Sequence, residues 1–376
     1  MRGETVKRLA LVLSVVLICG IAAADEAAEE TKWYDRFDLS GLFYLTYEDG
    51  EVDGEDYSRF FIRRAYLTVE TDVLPYLSAR VTFDTAQDLE GQGRGDMEVR
   101  LKYAFAKFHW QDRGILNDPN LEVGIVHMVW LDFEEHINLY RMRGPMFMER
   151  SGIFNSADFG VTFASGLGED MDDAFRSYAG NKYGTRHGSM AVGIYNGSGY
   201  HGDERNVGKT VEIRLAWRPL PDVVRGLQIA GMAIDGEGNQ DEVDGDVPDW
   251  RTINAFLAYQ FDRGTVTAQY VDGRGNQRGN WVEPDDPTTA MDYEGWSVFG
   301  EWRIGHRDQW RLTGGWDDFD RVADIGTDHS FTYAHLGLGY DLGKENILIL
   351  DLSQRDWDDE ARETDTQAQL VMQLKF

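Results

Sequence analysis

The chain has 376 residues, with 37 basic and 66 acidic side chains, a net charge of −29 and a mean hydropathy of −0.45. Such an acidic chain is repelled by nucleic acid, and past the first two dozen residues no apolar run approaches the roughly 20 residues of a membrane helix. The single cysteine, Cys19, lies in that first stretch, so no disulfide framework or thiol chemistry is expected of the remainder.

Residues 1–24 read as a cleaved secretory signal. Arg2, Lys7 and Arg8 form its charged head, Leu9 to Ile21 its short apolar run, and Ala22 to Ala24 the small residues of a cleavage site before Asp25. Its removal takes three basic side chains and one acidic one, leaving the rest more acidic still. After a short segment, 25–35, the exported part leaves two classes open, a soluble β protein or a closed barrel in an outer membrane.

The strand pattern favours the barrel. Alternating segments fall near 36–48, 57–73, 77–87, 97–110, 121–131, 157–167, 189–195 and 209–218, then near 226–235, 251–262, 264–272, 295–305, 309–317, 331–342, 345–355 and 366–376. An even set of about 16 such segments predicts an all-β fold, a transmembrane antiparallel β-barrel over residues 36–376. Short hinges follow the second, tenth, twelfth and fourteenth segments, and long polar connections alternate with them, for example 48–57, 132–156, 236–250, 272–294 and 317–330. Short turns on the periplasmic side and long loops outside are the barrel expectation. The 168–188 connection, on the short-turn side, breaks the rule.

Alternate residues sort into two faces. In the fourth segment Val99, Leu101, Tyr103 and Phe105 oppose Glu98, Arg100 and Lys102. In the eighth, Val211, Ile213, Leu215 and Trp217 oppose Glu212 and Arg214; in the twelfth, Trp296, Val298, Trp302 and Ile304 oppose Glu301 and Arg303. So many charges on one face suit a wet lumen rather than a dry core. Tyr66, Trp110, Trp130, Trp217, Trp310, Trp316 and Tyr340 are placed for interfacial girdles.

A barrel of this size leaves an aqueous channel, with selectivity set by its constriction and lining charge. The third long loop, 132–156, mixes Glu134, Glu135, Arg141, Arg143, Glu149 and Arg150 with Leu139, Met142, Met146, Phe147 and Met148. That apolar content predicts a third extracellular loop folded into the lumen. On the wall, Arg63 and Arg64 are adjacent, so at least one faces inward, and the pattern with Tyr66 and Thr68 favours Arg64. Arg80, Arg100 and Lys102 extend a basic stripe suited to anions; Glu70, Asp84 and Glu98 could equally neutralise it. The acidic excess is assigned mostly to loops: Glu48, Asp49, Glu51, Asp53, Glu55 and Asp56 in the first, and further clusters near 241–249 and 356–360. These would bridge divalent cations to lipopolysaccharide, draw cations to the mouth, or simply solvate the surface.

The last segment alternates strictly from Gln367 to Phe376. A terminal aromatic at Phe376 resembles the signal by which the barrel-assembly machinery recognises bacterial outer-membrane barrels. Several runs resemble the phosphate-selective porin O and porin P family. These are Arg59-Phe60-Phe61-Ile62-Arg63-Arg64-Ala65-Tyr66-Leu67, Glu149-Arg150-Ser151 followed by Asp158-Phe159-Gly160-Val161, Ala191-Val192-Gly193-Ile194-Tyr195-Asn196-Gly197, and Val211-Glu212-Ile213-Arg214-Leu215-Ala216-Trp217-Arg218-Pro219. The resemblance implies a homotrimeric, sixteen-stranded porin of the Gram-negative outer membrane. The family is richer in lysine around its third loop, where this chain mixes arginine with glutamate.

The functional expectation is a passive channel for small hydrophilic solutes. Arg64, Arg80, Arg100, Lys102, Arg141, Arg143 and Arg150 would bias it towards anions such as phosphate. A general or weakly cation-preferring porin, and a poorly conducting structural or adhesin-like barrel, remain open at this point. No nucleophile elbow, Ser/His pair, cofactor motif or metal-ligand spacing is present in the sequence, so neither enzyme activity nor a cofactor is expected.

Overall fold

The computed structural model describes residues 36–87, 95–321, 329–359 and 361–376; the expected signal, 1–24, and the segment 25–35 lie outside the described residues. The strands are β1 (Phe37–Val52), β2 (Glu55–Leu74), β3 (Leu77–Gln87), β4 (Met97–His109), β5 (Leu116–His127) and β6 (Ala157–Leu167). Next come β7 (Gly188–Tyr195), β8 (Thr210–Trp217), β9 (Leu227–Glu237), β10 (Asp249–Phe261), β11 (Gly264–Arg274), β12 (Val282–Glu283) and β13 (Asp286–Ala290). The last are β14 (Asp292–Ile304), β15 (Trp310–Asp320), β16 (Phe331–Gly343), β17 (Asn346–Trp357) and β18 (Asp365–Lys375).

Sixteen of them close into one antiparallel barrel, each paired with its chain neighbour, and β18 returns to β1. Only β12 and β13 stand apart, as a hairpin within the β11–β14 connection. Each expected segment corresponds to one barrel strand. The fifth is displaced: β5 ends at His127, and Val129 to Leu131 belong instead to a helix.

The alternation resolves as an apolar exterior around a polar interior. On β8, Val211, Ile213, Leu215 and Trp217 are exposed while Glu212 and Arg214 are buried. On β14, Trp296, Val298 and Trp302 face out and Glu301 is buried. Apolar exposure continuous around a barrel far exceeds the scattered patches of a water-soluble surface. Trp110, Trp217, Trp310, Trp316 and Tyr340 are exposed, as interfacial aromatics should be, but Tyr66 and Trp130 are buried. Tyr66 points into the lumen and Trp130 sits on the displaced helix.

Two bulges alter the faces. Between β1 and β2 the pairing jumps from Tyr44↔Arg64 to Leu45↔Ile62, leaving Arg63 as the extra residue. Between β3 and β4 it jumps from Thr82↔Tyr103 to Phe83↔Leu101, leaving Lys102. A bulge lets two successive side chains share one face. Arg63 and Arg64 therefore both point inward, as do Lys102 and Tyr103. Tyr103 and Phe105, expected opposite Lys102, are buried inside the barrel.

The first connection is not a loop. Asp53 (φ 49°) and Gly54 (φ 79°) form a two-residue turn, the left-handed pair that an Asp-Gly hairpin favours. Glu48 consequently lies in β1 and is almost wholly buried, not displayed in an acidic loop.

Candidate functional site: the barrel interior

The 128–156 connection runs against the charged inner face. It contains helix α1 (Val129–Ile137), a 3-10 turn (Arg141–Arg143) and a single turn of helix α2 (Phe147–Arg150). Val129, Trp130, Leu131, Phe133, Ile137, Met142, Met146, Phe147, Met148, Ile153 and Phe154 are all buried. Burying each large apolar side chain is worth roughly 1.5–3 kcal/mol, which explains why the segment leaves the mouth.

Polar contacts fix its path. Met128 offers no side-chain cap to α1; instead Glu212 on β8 accepts from Val129 N (3.0 Å) and Trp130 N (2.9 Å). A carboxylate there satisfies orphan donors and complements the helix dipole. Trp130 and Phe133 stack edge-on against Phe256 of β10. Farther along, Tyr140 donates to Glu301 on β14 (2.9 Å) and Gln369 on β18 donates to the Arg143 carbonyl (3.0 Å).

Each arginine expected to bias the pore from this loop has a carboxylate partner. Arg141 pairs with Glu135 (3.0 Å) and Glu149 within the loop. Arg143 pairs with Asp351 on β17 (3.1 Å) and contacts His335. Arg150 pairs with Asp317 on β15 (2.5 Å), its guanidinium 4.6 Å from the Tyr333 ring centre. All three have little solvent exposure. Arg143 and Arg150 clamp the loop to the wall, and Arg141 ties the loop to itself. Burial pushes Glu134 up to about 7, despite the hydrogen bond from Trp130 Nε1 (2.9 Å).

The stripe on β2–β4 is arranged differently. Glu48 accepts from both Arg59 (2.6 Å) and Arg63 (3.1 Å), and Asp84 serves both Arg64 (3.0 Å) and Arg100 (3.5 Å). Two guanidinium groups thus share each buried carboxylate. Arg63 Nε and Arg100 Nε have no protein acceptor. These arginines line a cavity of about 600 Å³ on the long-loop side of the barrel, completed by Glu98, Glu149, Tyr200, His201 and Arg278. Arg278 has no ion-pair partner among the described residues. Sequence reasoning missed Arg59, Arg278 and the inward direction of Arg63. Arg278 carries no periodic signal, while Arg59 and Arg63 share a parity whose direction is set by the bulge.

Arg80 pairs with Glu70 (3.3 Å) and donates to Thr82 (3.1 Å). Lys102 is enclosed: its ammonium donates to Tyr66 Oη (3.0 Å) and lies 4.5 Å from the Tyr66 ring centre. It faces inward as expected, yet it touches aromatic surface rather than open channel.

A second insertion rises from the short-turn side. Residues 168–187 hold helix α3 (Asp173–Ala179), capped by Asp172, which accepts from Phe175 N (2.9 Å). Phe175 is buried under Arg218, 4.6 Å from ring centre to guanidinium. Beyond Gly180 the chain turns inward and meets the loop above. Lys182 donates to both oxygens of Asp132 (2.6 Å each), Tyr183 Oη donates to the same carboxylate (2.5 Å), and Tyr183 packs on Phe133. Burial alone would raise Asp132, but Lys182 and its neighbours hold it well below the usual carboxylate range. The length of this connection is thereby explained: it forms a floor joined to the loop.

The architecture has known counterparts. OmpF of Salmonella typhi, in complex with daunomycin, superposes with a TM-score of 0.63 at 14% identity, over 92% of this chain and 99% of that one. The anion-selective porin of Comamonas acidovorans gives 0.60 at 12%, over 90% and 99%. The outer membrane channel DcaP of Acinetobacter baumannii gives 0.55 at 12%, over 90% and 97%. The fold is a porin fold. No family model matches the chain, and no curated protein is similar to it in sequence. Within that fold, residues 128–156 lie against the charged inner wall.

Proposed function

We propose that the protein is an outer-membrane porin that passes small hydrophilic solutes down their gradient and favours anions. The observation that carries this reading is the pairing of four arginines with two carboxylates on β1–β4. Low-dielectric walls focus the field of such an excess into the lumen. Arg64 and Arg100 are the chief selectivity residues, with Arg63 and Arg59 beside them, and Arg80 and Lys102 shape the wall below. Arg141, Arg143 and Arg150 maintain the constriction. Guanidinium clusters suit oxyanions such as phosphate, which agrees with the resemblance to the phosphate-selective family.

The apolar exterior suits an outer membrane reached through a cleaved signal, and the porin fold supports assembly as a homotrimer among lipid and lipopolysaccharide. Phe376 acts in recognition by the barrel-assembly machinery. It pairs with Gly41 through both backbone bonds (2.9 and 3.1 Å) and stacks edge-on against Phe43. Reversal potential in a salt gradient across a planar bilayer tests the reading. An anion-selective potential is expected, and a cation-selective one, or no conductance, would refute it.

A further inference from the structure

Beneath the third loop lies a chamber of about 400 Å³, bounded by β4–β7, by the base of α1 and by residues 181–185 of the insertion. That volume is within the range of small-molecule sites. Its electrostatics differ from those of the cavity above, because no carboxylate here is shared by two guanidinium groups. Glu122 has Lys107 at 3.6 Å and His127 at 3.1 Å. Asp132 is held by Lys182, and Asp170 by Arg176 (3.2 Å), which also binds Asp173 (2.7 Å); Asp118, exposed at the rim, has His109 at 3.9 Å. A chamber compensated in this way has no surplus of cations with which to attract an anion.

Its uncommitted polarity lies in amides. The side chains of Asn117 and Asn181 line the chamber, and neither makes a side-chain hydrogen bond among the described residues; the Asn120 amide nitrogen donates to Asp118 O (2.8 Å), which leaves its oxygen uncommitted. A carboxamide offers two donors and an acceptor, which matches hydroxyl groups. Lys107 adds ammonium donors, and Glu122 adds a carboxylate oxygen able to accept from a hydroxyl. Thr162 approaches the same carboxylate at 3.5 Å, leaving its hydroxyl largely available.

We infer that this chamber is a binding site for a neutral polyhydroxylated solute of sugar or polyol type, distinct from the arginine-lined cavity. The inference deepens the porin reading and rests on it for the idea that the solute continues through the barrel. Binding itself does not require conduction, so the two can fail separately.

The test uses the full chain folded in detergent, with glucose as the probe and saturation-transfer NMR as the readout. Glucose is expected to bind wild type and Arg64→Gln alike. It should bind about tenfold more weakly to the Asn117→Leu, Asn181→Leu double variant, as expected for losing about 1.4 kcal/mol of hydrogen bonding. Thr162→Val preserves volume and provides a second, conservative variant, expected to weaken binding in the same direction. Absence of transfer from glucose, undiminished transfer in both chamber variants, or displacement of glucose by equimolar glycine or inorganic phosphate would overturn the inference. A barrel that binds glucose in this pattern but passes no current in a bilayer would uphold the chamber and refute the channel.

Discussion

The cavity above the third loop and the chamber beneath it both set basic groups against carboxylates, but in different ratios. Above, Glu48 and Asp84 each serve two arginines. Below, Glu122 faces Lys107, Asp132 faces Lys182, and Arg176 is itself divided between Asp170 and Asp173. Proximity of charge does not by itself make a selective surface. What matters is the ratio of cation to carboxylate, because a matched pair cancels at distances where an unmatched guanidinium still exerts a field. The loop's arginines illustrate the point: Arg143 and Arg150 are matched by Asp351 and Asp317 and serve as fasteners.

The strongest way to break this contrast is charge reversal above. Arg64→Glu with Arg100→Glu should invert the reversal potential from anion- to cation-selective, whereas removing a facing pair below, Lys107→Gln with Glu122→Gln, should leave its sign unchanged. Equal effects at both levels would show that stoichiometry is not the deciding variable. A smaller effect of the opposite sign is expected from Asp84→Asn. Removing the shared carboxylate frees two guanidinium groups, so anion preference should rise severalfold, with some loss of thermal stability because both arginines lose their partner.

The partition between the levels can be probed by pH. Glu134, raised to about 7 by burial, binds its proton more tightly in the folded barrel than in an unfolded chain, where its value is 4.5. Its contribution is therefore complete below about pH 4.5 and is lost as pH rises through about 7, by up to about 3 kcal/mol. Thermal unfolding in detergent should show that decline, and Glu134→Gln should flatten it. The smallest effect lies at a turn. Lys344 (φ 54°) and Glu345 (φ 62°) occupy left-handed geometry, so Lys344→Asn with Glu345→Gly should stabilise the barrel by about 1 kcal/mol per position.

Much of this organisation was readable in the sequence wherever period-two alternation ran uninterrupted. β8 and β14 show it most clearly, because exposed apolar side chains alternate there with buried ones, Glu212, Arg214, Ser297 and Glu301 among them. Legibility failed where the chain departs from that period. The Arg63 and Lys102 bulges insert one residue without changing the local composition, so Arg63 and Arg64 both face inward although alternation admits only one of the two. Met128, Val129 and Trp130 continue the apolar run of β5, and a short apolar run does not distinguish strand from helix. The Asp53-Gly54 hairpin was hidden in an acidic stretch that suggested a solvated loop. Among candidate site residues, Arg64, Arg80 and Arg100 were accessible to pattern reading, but Arg278 reaches the cavity from a connection with no periodicity at all. The ion pairs of Arg143 and Arg150 reach distant strands and leave no local trace.

The seam between β1 and β18 has a kinetic consequence. Glu48 and Gln367, 319 positions apart, share a hydrogen bond of 2.9 Å across it. Every other barrel ladder joins consecutive barrel strands and can zip as its hairpin forms, but this one waits until the whole sheet has curled. Contact order therefore places ring closure last and makes it slow. Before closure, β1 and β18 both present raw edges prone to pairing with the wrong partner. The Phe376 ring lies over Gly41, where an added Cβ would overlap it. A methyl group at position 41 should accordingly act on the final step of folding, lengthening the lifetime of the open sheet while the earlier hairpins form at their usual rate.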